Sequence, residues 1–139
     1  MAFNILVNLF KKKKSSSHVF LIREDRKVLL LQRSSTDTWM PNKWGLPGGV
    51  IEKRETPREA AIRETKEETN LDIKNISFHI VQEGNRFLFI AREFYGDIKL
   101  DHESQNYAWV NFTDINERKK YDLVPRLRTQ LKKAFILNS

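Results

Sequence analysis

Cysteine is absent from the 139 residues. That removes disulfide frameworks, thiolate zinc sites and cysteine nucleophiles together. Histidine is scarce, and His18, His79 and His102 are too scattered to suggest a His-rich metal site. No apolar run approaches the roughly 18 residues of a membrane-spanning helix. The apolar opening MAFNILVNLF precedes Lys11–Lys14, the reverse of the order in a secretory signal. These absences lead us to expect a soluble, cytoplasmic chain without a membrane partner. The length allows one domain with a short appendage, and a chain of this size buries about two-thirds of its unfolded surface without needing a metal or disulfide to hold a core.

Acid is absent from the N-terminal end and sparse at the C-terminal end. The formal net charge of +7 divides unevenly: residues 1–16 carry four lysines and no acid, residues 117–139 seven basic and two acidic groups, and residues 17–116 fourteen basic and sixteen acidic. The basicity is therefore terminal, and a terminal lysine run reads more readily as a solvated tail than as a nucleic-acid arm. Residues 1–16 read as an N-terminal extension, an extra edge strand or an arm, and residues 17–139 as the domain.

From Ser17 the pattern becomes one of short β-type runs. His18–Arg23 and Lys27–Arg33 flank Glu24-Asp25-Arg26 and predict a hairpin. Residues 34–43 are loop-like and contain Trp39. Three of the five glycines fall in the stretch W-G-L-P-G-G, Trp44 to Gly49, a rigid turn followed by a flexible one. Further strands are expected at 74–82, 86–94 and 107–112. Thr56-Pro57-Arg58-Glu59 combines a capping box with proline at the first helical position, predicting a helix to Thr69 closed by Asn70 in the left-handed conformation. A second helix is expected near Val124-Pro125, with Val124, Leu127, Leu131 and Phe135 at helical spacing. The class is mixed α/β (α+β).

The segment Glu52 to Glu68 holds six glutamates. On a helix, Glu64, Glu67 and Glu68 fall within about a 100° arc, beside a stripe of Ala61, Ile62, Thr65 and Thr69. A helix laced with ion pairs through Arg58, Arg63 and Lys66 is one reading. The other is a cation site, because carboxylates on one arc repel unless a cation lies between them, and hard divalent ions take oxygen ligands.

The wider spacing adds to this. Gly49, five residues, Glu55, seven residues and then Arg63-Glu64-Thr65-Lys66-Glu67-Glu68-Thr69-Asn70-Leu71 resembles the Nudix box. Thr65 stands where that motif has an aliphatic residue and Asn70 where it has glycine. The resemblance, extended to the MutT-like subgroup, implies a mixed β-sheet sandwiched between α-helices. It also implies a hydrolase that uses Mg²⁺ or Mn²⁺ to cleave a nucleoside diphosphate linked to another moiety. By position, it implies metal ligation by Glu67, Glu68 and the Gly49 carbonyl, and a general base or further ligand in Glu64. Arg63 then holds a loop carboxylate, Glu55 by expectation, in a catalytic or merely fold-stabilising role. Glu103, six residues before Trp109, resembles the loop glutamate that reaches the metal in that subgroup, with Glu93 the alternative.

On the substrate side the resemblance implies a phosphate- or base-contacting role for Arg33, and Asn42-Lys43 match the subgroup's approach to the Pro-Gly-Gly turn. Trp39 and Phe94 are placed for either base stacking or packing, and Trp44 and Trp109 for packing. Asp122 stands near where the subgroup has a base-reading asparagine, which puts oxidised-guanine specificity in doubt. The expected partner is a free nucleotide, a (d)NTP or NDP-linked compound, acted on by a monomer or homodimer. RNA 5′-end hydrolysis and a non-catalytic nucleotide-binding module are the competing functions, and nucleic acid is not favoured as a partner.

Overall fold

The computed structural model describes residues 14–78, 84–125, 127 and 130. Its strands are β1 (Ser16–Leu21), β2 (Val28–Arg33), β3 (Trp44–Gly45), β4 (Gly48–Val50), β5 (Asp72–Phe78), β6 (Arg86–Tyr95) and β7 (Ser104–Val110). Helix α1 spans Pro57–Thr69 and a short helix α2 spans Ile115–Arg118.

Local chemistry sets α1 where the sequence puts it. The Thr56 hydroxyl accepts from the Glu59 N–H, the Glu59 carboxylate accepts from the Thr56 N–H, Pro57 opens the helix, and Asn70 closes it at φ 66°. Ile62, expected on the apolar stripe, is instead 36% exposed, and the buried face is Ala60, Ala61, Thr65, Glu68 and Thr69. The expected second helix lies largely outside the described residues; Leu127 within it is helical and fully buried.

The strands form two sheets, ordered β4-β1-β6-β5 and β3-β2-β7. This corrects the expected hairpin. β1 and β2 meet only at the isolated bridge Ile22–Val28, because β1 pairs parallel with β6 and antiparallel with β4, while β2 pairs antiparallel with β3 and β7. The stretch expected as two turns, Trp44 to Gly49, contributes a strand to each sheet, crossing at Leu46-Pro47. The Pro47 carbonyl accepts from the Val19 N–H at 3.0 Å.

Two apolar cores follow from the period-2 alternation of these strands. Phe20, Ile22, Val28, Leu30, Leu88 and Ile90 enter one, closed by Leu123 and Leu127. Val19, Leu21, Leu29, Leu31, Phe89 and Ala91 enter the other, closed by Ala61 of α1. The strand layer therefore lies between α1 and the segment bearing Leu123 and Leu127, as the sandwich expectation requires. Trp44 packs on the first core, edge-on to Tyr121 at 5.0 Å. Trp109 packs on the second, stacked on Phe94 at 5.8 Å, so Phe94 serves packing.

Candidate functional site

A cleft of about 320 Å³ opens at the seam of the two sheets, lined by Ser16 and His18 of β1, Leu31 and Arg33 of β2, Gly48 and Gly49 of β4, Glu68 of α1, and Trp39, Arg86 and Glu103. Its acidic end begins with the close approach of α1 to β4. A Cβ on Gly49 would stand 2.6 Å from the Glu64 carboxylate, so a side chain there would displace the carboxylate from the strand. The Gly48 N–H donates to Glu68 Oε1 at 3.4 Å.

Glu68 is 6% exposed. Burial, then the negative charges of Glu64 and Glu103, push its carboxyl up to about 9. Glu103 is also raised, by burial and by the charges of Asp101 and Glu64. Glu64, Glu68 and Glu103 thus share one electrostatic environment. Glu93 is exposed on β6 opposite Asn75 and does not line the cleft.

Arg63 organises the other side of the helix. Its Nε donates to Glu55 Oε2 at 2.7 Å and its Nη2 to Glu55 Oε1 at 2.9 Å and to the Val50 carbonyl at 3.1 Å. This fork, a geometry suited to guanidinium and carboxylate, holds Glu55 down to about 2. Its Nη1 reaches Glu64 at 3.0 Å and Glu67 at 3.2 Å. Glu67 is 55% exposed and turns to Arg63 rather than into the cleft. Among the described residues no three acidic, histidine or cysteine side chains are grouped as they stand to hold a metal ion.

The donor chemistry nonetheless fits a hard divalent cation. Glu68, buried with no basic side chain among the described residues bonded to it, lies in the field of Glu64 and Glu103, and the glycine next to it leaves its carbonyl approachable.

The remaining candidates divide. Arg33 and Trp39 line the cleft. Lys43 and Asp122 do not: Lys43 Nζ binds Asp122 at 2.9 and 3.0 Å, while the Trp44 N–H donates to the Asp122 carbonyl at 2.8 Å. Together these tie the segment before β3 to the one bearing Leu123. The Asn42 amide oxygen accepts from Gln105 at 2.9 Å. Ser16, His18 and Arg86 line the cleft without having stood out in the sequence. Their signal was the alternation Ser16, His18, Phe20 on one strand face, which does not say that the face ends at a cleft. Burial and the Arg86 charge hold His18 down to about 4, so the imidazole is neutral; its Nε2 lies 3.2 Å from Ser16 Oγ.

The family model described as NUDIX domain matches residues 12–133. The chain is 32% identical over 107 residues to an uncharacterized Nudix hydrolase, YvcI, of Bacillus subtilis, across 68% of this chain and 65% of that protein. It is 37% identical over 65 residues to the 8-oxo-dGTP diphosphatase of Escherichia coli, across 47% of this chain and 50% of the relative. The crystal structure of a MutT protein from Methanosarcina mazei Go1 matches with a TM-score of 0.73 at 24% identity, over 94% of this chain and 98% of that one, a likeness of fold. The chain spans less than two-thirds of the length of YvcI and of the E. coli diphosphatase.

Proposed function

We propose, on the premise that this chain belongs to the Nudix family, that it is a Mg²⁺- or Mn²⁺-dependent pyrophosphohydrolase acting on a free nucleotide, a (d)NTP or an NDP-linked compound. The observation that carries this reading is the buried Glu68 carboxyl facing Glu64 and Glu103 beside Gly49. Burying the Glu68 carboxyl in the field of Glu64 and Glu103 costs stability, and such a cost is retained where a cation is to be held. The likeness to the E. coli 8-oxo-dGTP diphosphatase supports the substrate class.

The cation would be held by Glu64, Glu68, Glu103 and the Gly49 carbonyl, with Glu67 joining by giving up its bond to Arg63. When bound, it supplies charge neutralisation at the phosphoryl oxygens and acidifies water. The chain's own residues do the rest. Glu64 has an oxygen free of Arg63, suiting it to accept a proton from the attacking water or to serve as a further ligand. Arg63 fixes the Val50–Glu55 loop and thereby the direction of the Gly49 carbonyl. Arg33 and Trp39 form the substrate side. Lys43, Asp122 and Asn42 support the walls.

The test is a panel of nucleoside di- and triphosphates, dinucleoside polyphosphates, nucleotide sugars and 5′-triphosphorylated RNA, with Mg²⁺ and Mn²⁺ and products identified by mass. Metal-dependent release of a phosphate or pyrophosphate from a free nucleotide is expected. Nucleotide binding without turnover overturns the hydrolase reading, and turnover confined to RNA overturns the substrate class.

A further inference from the structure

The loop from residue 34 to 43 joins β2 to β3 and carries Trp39. The indole lines the cleft, yet it is 49% exposed, which sets it apart from the core tryptophans 44 and 109. Exposed as it is, Trp39 is held at its backbone on both sides, and its indole lies against one guanidinium. Arg33 Nε donates to the Trp39 carbonyl at 2.9 Å, Arg33 Nη2 donates to Asp37 Oδ2 at 2.6 Å, and Arg33 Cζ lies 4.7 Å from the indole centroid. Asp37 Oδ1 in turn accepts from the Trp39 N–H at 3.1 Å.

The loop around them is braced at both ends. The Gln105 side chain accepts from the Ser35 N–H at 3.0 Å and donates to Asn42 Oδ1 at 2.9 Å. The Ser34 N–H donates to the Glu103 carbonyl at 3.1 Å, fastening the loop to the acidic end of the cleft. Met40 and Asn42 hold φ of 49° and 63°, a conformation side chains resist and one that persists where the surroundings over-determine it.

We propose that this loop is a prebuilt shelf presenting Trp39 as the stacking face for the planar base of a nucleotide, with Arg33 and Asp37 as its positioning residues. The inference rests on the nucleotide reading above and adds to it where the base lies. With the guanidinium against one part of the indole, the exposed remainder is available to a partner, and every base offers a π-face to such a ring. The charge of Arg33 is already matched by Asp37, so Arg33 acts through Trp39 rather than on a phosphate. Fixing the ring in advance lowers the ordering cost of binding.

The experiment compares AMP, GMP, CMP and UMP with ribose 5-phosphate, the same molecule without a base, by calorimetry on the full chain with Mg²⁺. The wild type binds at least one nucleoside monophosphate roughly tenfold or more tightly than ribose 5-phosphate. Trp39→Ala brings that ratio close to one, and Trp39→Phe keeps most of it. Asp37→Ala lowers the ratio several-fold and Asp37→Asn less, since the amide still accepts from the Trp39 N–H. Ribose 5-phosphate affinity stays unchanged throughout. In turnover of the matching triphosphate, the loss in these variants falls on KM more than on kcat. A wild-type ratio in Trp39→Ala overturns the shelf while leaving the hydrolase reading standing. Equal losses in Trp39→Phe and Trp39→Ala, or a matching fall in ribose 5-phosphate affinity, also overturn it. A wild type that binds no nucleoside monophosphate more tightly than ribose 5-phosphate overturns the shelf, and one that also turns over no nucleotide overturns both readings.

Discussion

Glu68 is the residue at which stability and function oppose each other. Folding raises its carboxyl from the ordinary 4.5 to about 9. Between those values the folded chain keeps a proton the unfolded chain has released, so metal-free stability is greatest below the lower value and falls as pH rises toward the upper. Glu55, held down to about 2, acts with the opposite sign: its contribution is present above 4.5 and is lost as pH falls through about 2. The expected outcome is a melting temperature of the metal-free protein that declines from pH 5 to pH 9, a slope that Glu68→Gln flattens, read by scanning calorimetry in EDTA. Metal displaces that proton, so Mg²⁺ should raise the melting temperature more at pH 8 than at pH 6. In turnover at saturating Mg²⁺, Glu68→Gln should lose roughly 10²–10⁴ in kcat while melting no lower than wild type. Glu103→Gln should lose at least about tenfold, because its carboxyl shares the charge environment of Glu64 and Glu68, whereas Glu93→Gln on the exposed edge of β6 should stay within a few-fold. Steady-state kinetics of the pair checks this, and the reverse order would move the loop ligand to Glu93.

At the scale of elements, the adjacent glycines of β4 differ in kind. A Cβ on Gly48 would overlap the Ser17 backbone carbonyl, at a φ of 155° that side chains rarely adopt. Neither backbone can yield without breaking the β1–β4 ladder, so Gly48→Ala should cost at least about 2 kcal/mol, measured by urea unfolding. On Gly49 the Cβ would meet only the far end of the Glu64 side chain, which can swing away. Gly49→Ala should therefore fold nearly as well as wild type and lose most of its metal affinity, measured by Mn²⁺ titration. The elements also show what a sequence discloses. Helix α1 was legible to its ends because Thr56, Pro57, Glu59 and Asn70 act within one turn of where they stand. The Glu55–Arg63 clamp was legible only through the resemblance to the Nudix box. The partners of β1 were not, since the short Glu24-Asp25-Arg26 connection favours a local hairpin and only the packing of β6 decides otherwise. Ile62 was misassigned because its place on the arc lies at the border of the buried face. His18 and Arg86 were missed because a cleft is made by the meeting of elements, and no one of them carries its pattern.

At the scale of the molecule, β1, β2 and β6 each send alternate side chains into both cores. Neither core can loosen without freeing the strands that wall the other, so the two should melt as one. Trp44 reports the first core and Trp109 the second; fluorescence of Trp44→Phe and Trp109→Phe variants should trace coincident urea transitions in a single cooperative step, and separated midpoints would contradict it. The same arrangement has a consequence in time. β1 finds its parallel partner β6 some 70 residues downstream, and β2 pairs β7 at a comparable distance. Loop closure over such spans is made before any contact rewards it, which puts folding in the slow range of about milliseconds to seconds for small domains. During synthesis the apolar run Val19 to Ile22 is among the first of the described segments to emerge and must wait for its parallel partner until residues 86–91 have followed it. The strand that carries His18 into the cleft is made early and seated late, and over that interval a holding chaperone has its clearest target.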